Sequence, residues 1–411
     1  IDGKAFTLDN EEQAGAVVAA VQNVDFTAGA VKRRERRRNP AAPFRTSTLQ
    51  QAASKRLRFS ARRTMSTAQR LYEGIELGGR GAVGLITYMR TDSTRVAPGA
   101  VEAARKWISG EFGEDYVASS PRLWGGKQQK AAQDAHEAIR PADPALHPDD
   151  VSPFLEGDTA RLYELIWLRF VAGQMAPALY DTTTIDFYLT AEGGEYEFRS
   201  TGSILRFQGF TRLYVEATEA GDRRPIDDLE ALPDMDVGDP ALVKGIDSLQ
   251  HFTQPPARFS EASIVKELEV LGIGRPSTYA QIISTIQDRG YVDYEERRFN
   301  PTPLGDTVSK LLVRVFPDIF DVAFTSRMES ELDRVEEGEI GWRDLLAGFY
   351  PLFQGQLENG EARSEEIIKE ILAAEGETCD TCGELMQVRW NRFGRFLGCS
   401  AYPDCKGTRD R

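Results

Sequence analysis

The sequence predicts a mixed α and β, multi-domain protein. Three features carry that expectation. The texture changes near residues 43, 175 and 250; an alternating stretch rich in Thr, Ile, Phe and Tyr (180–215) sits between helix-like stretches; and all four cysteines fall in the last 33 positions. With 411 residues, 41% hydrophobic and 28% charged, the chain has material for two to four domains with cores of their own. No run of about 18 apolar residues exists, so no transmembrane helix is expected. The N-terminal IDGKAFTLDNEEQ lacks a basic segment leading into an apolar one, so it is no secretory signal. Its first residue is Ile rather than Met, which reads as a trimmed chain or a fragment.

Residues 1–31 read as a strand followed by an amphipathic helix, with Ala14, Val17, Val18 and Val21 at helical spacing. The basic, proline-bearing stretch 32–43 reads as a linker. Thr46 to Tyr72 is helical in pattern and stops near Gly74. Val83 to Met89 is a short apolar strand entering a polar turn. Residues 99–113 and 156–175 are helical, the second with a stripe of Leu162, Leu165, Ile166, Leu168 and Phe170. TTTIDFYLT and EYEFRS, joined by AEGGE, signal a β-hairpin. The acidic stretch 219–240 reads as a loop. Helices return over 260–271, 277–289 and 302–315, and an amphipathic region continues through 372.

The net charge of −14 argues, taken whole, against a nucleic-acid partner, but the charge is segregated. Between Lys32 and Arg90 stand fifteen Lys and Arg against Glu35, Glu73 and Glu76, a local +12 that leaves −26 for the rest. Such a stretch either focuses a positive field on one surface or is a solvated basic loop.

Three constellations have chemical content. In GLITYMRTDS, Tyr88 and Arg90 stand two apart, so on a strand they share a face. A tyrosine, with a pKa of about 10, needs a nearby cation or base to act as a nucleophile at neutral pH. Arg90 is such a cation and also a bidentate phosphate ligand; the plain alternative is a packed aromatic. In AHEAIRP, His136 precedes Arg140 by four residues, one face of a helical turn. This histidine either moves a proton or donates to a phosphate, or else is a capping residue in a loop. In LGIGRPSTY, Gly272 and Gly274 end one helix, Pro276 presets the next, and Ser277 and Thr278 are its caps. With Arg275 alongside, that helix start suits a phosphate, although capping alone accounts for Ser277.

The cysteines read C-x2-C-x16-C-x5-C (Cys379, Cys382, Cys399, Cys405), spacing that suits four thiolates around Zn²⁺, with free thiols as the alternative. Trp390, Phe393 and Phe396, interleaved with Arg389, Arg392 and Arg395, are either a surface for stacking bases or one face of a hairpin core.

PFRTSTLQQAAS (43–54), GLITYMRTDSTR (84–95), QDAHEAIRP (133–141), PPARFSEASIVKELEVLGIGRPSTYAQIISTIQDRGYV (255–292) and FTSRMESELDRVEEG (324–338) occur in the order found in bacterial DNA topoisomerase I. The chain closely resembles this type IA topoisomerase family over nearly its whole length. The resemblance implies transesterification on single-stranded DNA. The tyrosine at position 88 joins the 5′ end of the cut strand, a second strand passes, and religation relaxes negatively supercoiled DNA. It assigns catalytic roles to Tyr88, Arg90 and His136, and DNA contacts to Arg140, Arg275, Ser277 and Thr278. It also implies part of a toroidal core: a β-rich arch domain (1–43 and 175–250), a catalytic tyrosine domain (44–174), a helical winged-helix-like domain (251–360) and a zinc ribbon (376–411).

Members of the family bind Mg²⁺ through a glutamate and an Asp-x-Asp pair on an N-terminal TOPRIM domain. The one Asp-x-Asp here, Asp234 and Asp236, lies in the acidic loop and reads as solvated. The expectation is therefore a monomeric, cytoplasmic, nucleoid-associated protein whose 411 residues bind DNA without cleaving it. The alternative is a non-catalytic single-stranded DNA-binding module. A tyrosine recombinase fits poorly, because its tyrosine lies near the C-terminus, and a relaxase needs clustered metal-binding histidines that three scattered ones do not supply.

Overall fold

The computed structural model describes residues 6–79, 81–125, 137–218, 229–391 and 394–410, without the side chains of 368–370, 372–376, 390, 391, 394, 395 and 410. Two compact units emerge: Ile1–Arg58 with Ser66–Ala257, and Phe59–Met65 with Arg258–Arg411. None of the helices is long and apolar enough to cross a membrane among the described residues.

The first unit opens with α1 (Glu11–Val21), started by the Asn10 side chain accepting the Gln13 N–H, and β1 (Phe26–Arg38). The helix forms where the sequence reading put it and a strand follows it, while the strand expected before it falls largely on residues 1–5, outside the described residues. Strand β1 also replaces the expected linker. It pairs with β4 (Ala178–Ala191), antiparallel, from Lys32 opposite Thr184 to Arg38 opposite Ala178. Its arginines stay mostly exposed, so the ladder satisfies the backbone while the long side chains keep their charges in water. An apolar alternation is not needed for such a strand, which is why none marks it.

Helices α2 (Thr46–Leu57), α3 (Ala61–Glu73), α4 (Pro98–Phe112), α5 (Pro148–Val151) and α6 (Gly157–Ala172), with the short pair β2 (Ile75–Glu76) and β3 (Ala82–Val83), surround the main core. Leu49, Leu71, Leu85, Ile108, Leu162, Trp167 and Phe170 are fully buried there. The Trp167 indole donates to Pro144 O at 3.0 Å and the Tyr163 hydroxyl to Leu146 O at 2.7 Å, so the two large polar-tipped side chains are satisfied. Loss of Trp167 to Ala costs about 3–5 kcal/mol.

The expected hairpin forms from β4 and β5 (Gly194–Phe207), and β6 (Pro240–Ala241) completes a sheet of order β5-β4-β1-β6. Helix α1 docks on its far end, where Val21, Leu189 and Tyr196 are buried with Val17 and Phe26 against them.

In the second unit, α7 (Glu261–Leu271), α8 (Tyr279–Asp288) and the hairpin β7 (Val292–Glu295) and β8 (Arg298–Pro301) close over Ala61, Val265, Ile283 and Phe299. This helix–helix–hairpin has the build of a winged helix. The buried Glu261 carboxylate accepts the Ala61 N–H at 3.1 Å, and burial pushes its pKa up. The hairpin was not expected: its turn is Glu296-Arg297, both at positive φ (47° and 63°), instead of the Asn-Gly or Asp-Gly that announces such turns. Helices α9 (Pro303–Val315), α10 (Val322–Glu336), α11 (Trp342–Ala362) and α12 (Ser364–Leu372) divide the long amphipathic region. Strands β9 (Ala373–Thr378), β10 (Leu385–Asn391), β11 (Gly394–Cys399) and β12 (Thr408–Asp410) make the terminal sheet, order β12-β11-β10-β9.

Candidate active site and nucleic-acid interface

Tyr88 is presented by an irregular segment, not by the expected strand, which ends at Val83. What fixes the segment is a set of hydroxyl-to-backbone bonds. The Thr46 hydroxyl lies 2.8 Å from Met89 O and 3.0 Å from Thr91 O, and it accepts the Thr91 N–H at 2.9 Å. On the other side, the Thr87 hydroxyl donates to Ala138 O at 2.6 Å and accepts the Arg140 N–H at 3.0 Å. Leu85 N donates to Leu71 O at 2.7 Å, tying the segment to the last turns of α3. Gly84 is required there, because a Cβ would stand 2.8 Å from Tyr72 O.

Between these anchors Leu85, Ile86, Met89 and Thr91 are buried, whereas Tyr88 and Arg90 are exposed. The Tyr88 ring rests edge-on against Tyr72, centroids 5.3 Å apart, and its hydroxyl makes no hydrogen bond among the described residues. The backbone is held on both sides and the phenol is left free. That is the arrangement a nucleophile requires, since it must be positioned yet able to reach phosphorus.

Arg140 is differently placed. It is buried, pairs with Glu137 at 2.5 Å and donates to Pro141 O at 2.9 Å and Ala142 O at 3.3 Å. It therefore stiffens the 137–142 backbone on which Thr87 hangs. His136 lies outside the described residues.

In the second unit, Arg275 is clamped. Its Nε and Nη2 meet the two carboxylate oxygens of Asp333 at 3.2 and 2.7 Å, and Nη1 donates to Gly274 O at 2.9 Å. The Asp333 hydrogen bond pushes the guanidinium pKa further up. Glu329 accepts the Gly274 N–H at 3.0 Å, with Gly274 at φ +77°. Thr278 precedes α8, but its hydroxyl closes the turn onto Arg275 N (2.8 Å) in place of capping the helix; Ser277 is exposed and caps nothing. The expected double cap is thus a glycine turn bolted to α10.

The four cysteine sulfurs lie within 4.8 Å of one another, with Cys379 and Cys405 3.7 Å apart and Cys382 and Cys399 3.3 Å apart. A tetrahedral zinc with Zn–S bonds of about 2.3 Å puts its sulfurs about 3.8 Å apart, so the set fits Zn²⁺. Backbone N–H groups of Thr381 and Cys382 draw the Cys379 thiol down to about 6, toward the thiolate a metal needs. Gly383 turns the first knuckle at φ +78°. Gly407 passes so close that a Cβ would lie 2.4 Å from the Cys379 sulfur. In the adjoining hairpin Arg389 stacks on Tyr402 at 5.0 Å. The Trp390 and Arg395 side chains, with Arg392 and Phe393, fall outside the described residues, so neither reading of that aromatic row is decided by them.

Comparison with known proteins decides the family. The DNA topoisomerase family model matches residues 2–347. The chain belongs to the type IA topoisomerase family. A second model, the topoisomerase DNA-binding C4 zinc finger, matches residues 376–410 and coincides with the sulfur cluster. Among solved structures, full-length topoisomerase I from Thermotoga maritima is similar with a TM-score of 0.79 and 33% identity, over 100% of this chain and 63% of that one. The chain thus spans less than two thirds of that topoisomerase's length.

Within the family frame, several residues that sequence reasoning left without a role prove to shape the loops. Thr46 lies in PFRTSTLQQAAS, and Glu329 and Asp333 lie in FTSRMESELDRVEEG. The signal for the second pair was present. Two acids four apart share one helix face, and two cation-seeking carboxylates ask what faces them. Tyr72 and Thr87 carried no signal beyond ordinary helix and strand composition.

Proposed function

We propose that this chain supplies the nucleophile and much of the DNA grip of a type IA topoisomerase, which cuts one strand, passes another through the gap and religates, relaxing negatively supercoiled DNA. The observation that carries the reading is the free, exposed Tyr88 phenol on a backbone clamped by Thr46 and Thr87. In the reaction, Tyr88 Oη bonds to phosphorus as the P–O3′ bond breaks. The phenol proton leaves, and the departing 3′ oxygen takes one up. Arg90, exposed two residues on, meets the charge on the phosphoryl oxygens. His136 acts beside the reacting strand. The strand itself is held by the Arg275–Thr278 turn and the zinc ribbon, with Arg140 as a support for the Tyr88 loop.

Mg²⁺ belongs, in this reading, to carboxylates of a TOPRIM domain outside these 411 residues. Asp234 and Asp236 do not replace them: both are exposed and pair with Arg33 at 2.6 and 3.6 Å, and no carboxylate cluster occurs among the described residues. The 411-residue chain by itself, a monomer whose setting is the cytoplasmic nucleoid, accordingly binds single-stranded DNA and leaves supercoiled plasmid unchanged. Plasmid relaxation with Mg²⁺, run beside a gel-shift salt series, tests this. Binding that weakens steeply with salt and no relaxation is expected. Relaxation by this chain alone overturns the assignment of the metal, and no binding at low salt overturns the DNA reading.

A further inference from the structure

Strand β1 carries cations on both faces, and the two faces are treated differently. On one, Arg33 pairs with Asp234 and Asp236, and Arg37 pairs with Glu35, which also takes Arg206 at 2.9 Å. On the other, Lys32, Arg34 and Arg36 line an open groove of about 700 Å³ together with Arg199 and three threonines; Glu35, already paired with Arg37 and Arg206, also borders it. Arg34 and Arg36 form no ion pair among the described residues. Lys32 and Arg199 share Asp186, which is 1% exposed and lies beneath them at 3.2 and 2.6 Å, and Arg199 also pairs with Glu197 at 3.0 Å. These two acids balance Lys32 and Arg199 in number, so the charge of the face that meets no acid among the described residues is that of Arg34 and Arg36.

Three further details describe what such a face fits. Residues i, i+2 and i+4 of a strand recur every 7 Å or so (about 3.4 Å per residue), a row on the scale of successive phosphates along a nucleic-acid backbone. Beside the row, Thr184 and Thr201 line the groove with their hydroxyls 3.2 Å apart. Among the described residues no aromatic side chain lines the groove. Proteins that hold single strands add aromatic rings for the bases, whereas a duplex, with its bases stacked inside, offers phosphates alone.

We propose that the Lys32–Arg34–Arg36–Arg199 face of the β1–β4–β5 sheet is a sequence-independent docking site for the phosphate backbone of duplex DNA, separate from the single strand addressed by Tyr88. The inference rests on the reading of this chain as a DNA-acting protein. It adds a second contact, to a duplex segment, made through charge and hydroxyls only. An acidic protein surface is disfavoured, because the row is regular along one strand and has no apolar centre to desolvate.

The test is fluorescence anisotropy with a blunt duplex and with a single strand of the same length, each over a salt series. It uses the 411-residue chain and its R34Q/R36Q and R34K/R36K variants, whose thermal melts should match the parent's because neither arginine holds another residue. For R34Q/R36Q, duplex affinity at low salt is expected to fall roughly tenfold, and the slope of log K against log salt to flatten by about 1.8. Single-strand affinity should stay within about twofold, and R34K/R36K should retain most duplex binding. Unchanged duplex binding by R34Q/R36Q overturns the proposal, and so does an equal loss with both probes. Absence of binding to either probe by the parent chain is a different failure, that of the DNA reading itself.

Discussion

The Tyr88 loop and the Arg275 loop are both clamped, but at opposite ends of the residue. Around Tyr88 the clamp is on the backbone, through Thr46, Thr87 and Leu85, and the side chain is left without a hydrogen bond among the described residues. Around Arg275 the clamp is on the side chain, through Asp333 and Gly274 O, and the backbone turn is shaped around it. The difference fits the roles proposed for them. A nucleophile has to travel to phosphorus while its starting point stays fixed. A guanidinium that organises a turn contributes most by not moving, and the turn it holds leaves Ser277 exposed, the part that the proposed function offers to DNA.

Four substitutions break or sharpen this contrast. The largest effect belongs to Tyr88→Phe in the protein completed with its Mg²⁺-binding domain: no covalent DNA adduct, with single-strand affinity and melting temperature near the parent's, because one unbonded hydroxyl is all that goes. A persisting adduct in a denaturing gel places the nucleophile elsewhere. Next is Thr46→Val, which leaves the Thr91 N–H and Met89 O short of a partner in a buried setting. A loss of about 2 kcal/mol is expected in denaturant titration, together with slower adduct formation although Tyr88 is intact. Full activity at reduced stability would show that the backbone clamp matters only for folding.

Asp333→Ala comes third. The pair is partly exposed, so about 1 kcal/mol or less is expected in stability, with weaker single-strand binding as the turn loosens. Stronger binding would mean that Asp333 withholds Arg275 from DNA, and the contrast as drawn would be wrong. The smallest is a control outside both loops: Arg58→Gly at the left-handed end of α2 (φ 60°). Relief of the non-glycine conformation is opposed by the added freedom of the unfolded chain, so the unfolding free energy from denaturant titration should rise by no more than about 1 kcal/mol.

Much of this was legible in the sequence, and the gaps have physical causes. Helices with apolar stripes, such as the one holding Leu162, Ile166 and Phe170, declare themselves because burial selects their spacing. The cysteine module declares itself because four thiolates at one point leave a spacing in the chain. The strand KRRERRR did not, because period-two patterning arises only where one face is apolar, and both faces of β1 meet water or acids. The β7–β8 hairpin was silent because Glu296 and Arg297 occupy a turn that usually advertises itself with glycine. At the site, Tyr88 and Arg90 were marked by their chemistry. The residues that hold them were not: a threonine that braces a loop differs from any other threonine only in what lies across from it. Likewise the clamp on Arg275 joins positions 58 residues apart in the chain.

Gly84 has a consequence for how the nucleophile is set. The chain runs so near the end of α3 that Tyr72 O fills the space of a side chain, and the next residue is bonded to Leu71 O. Four residues later comes Tyr88, resting on the ring of that same Tyr72. The final turn of one helix thus works as a gauge block for the Tyr88 segment, touching it once through the main chain and once through an aromatic edge. A gauge read at two points reports rotation as well as displacement. A twist at the end of α3 is therefore passed to the Tyr88 segment through both contacts.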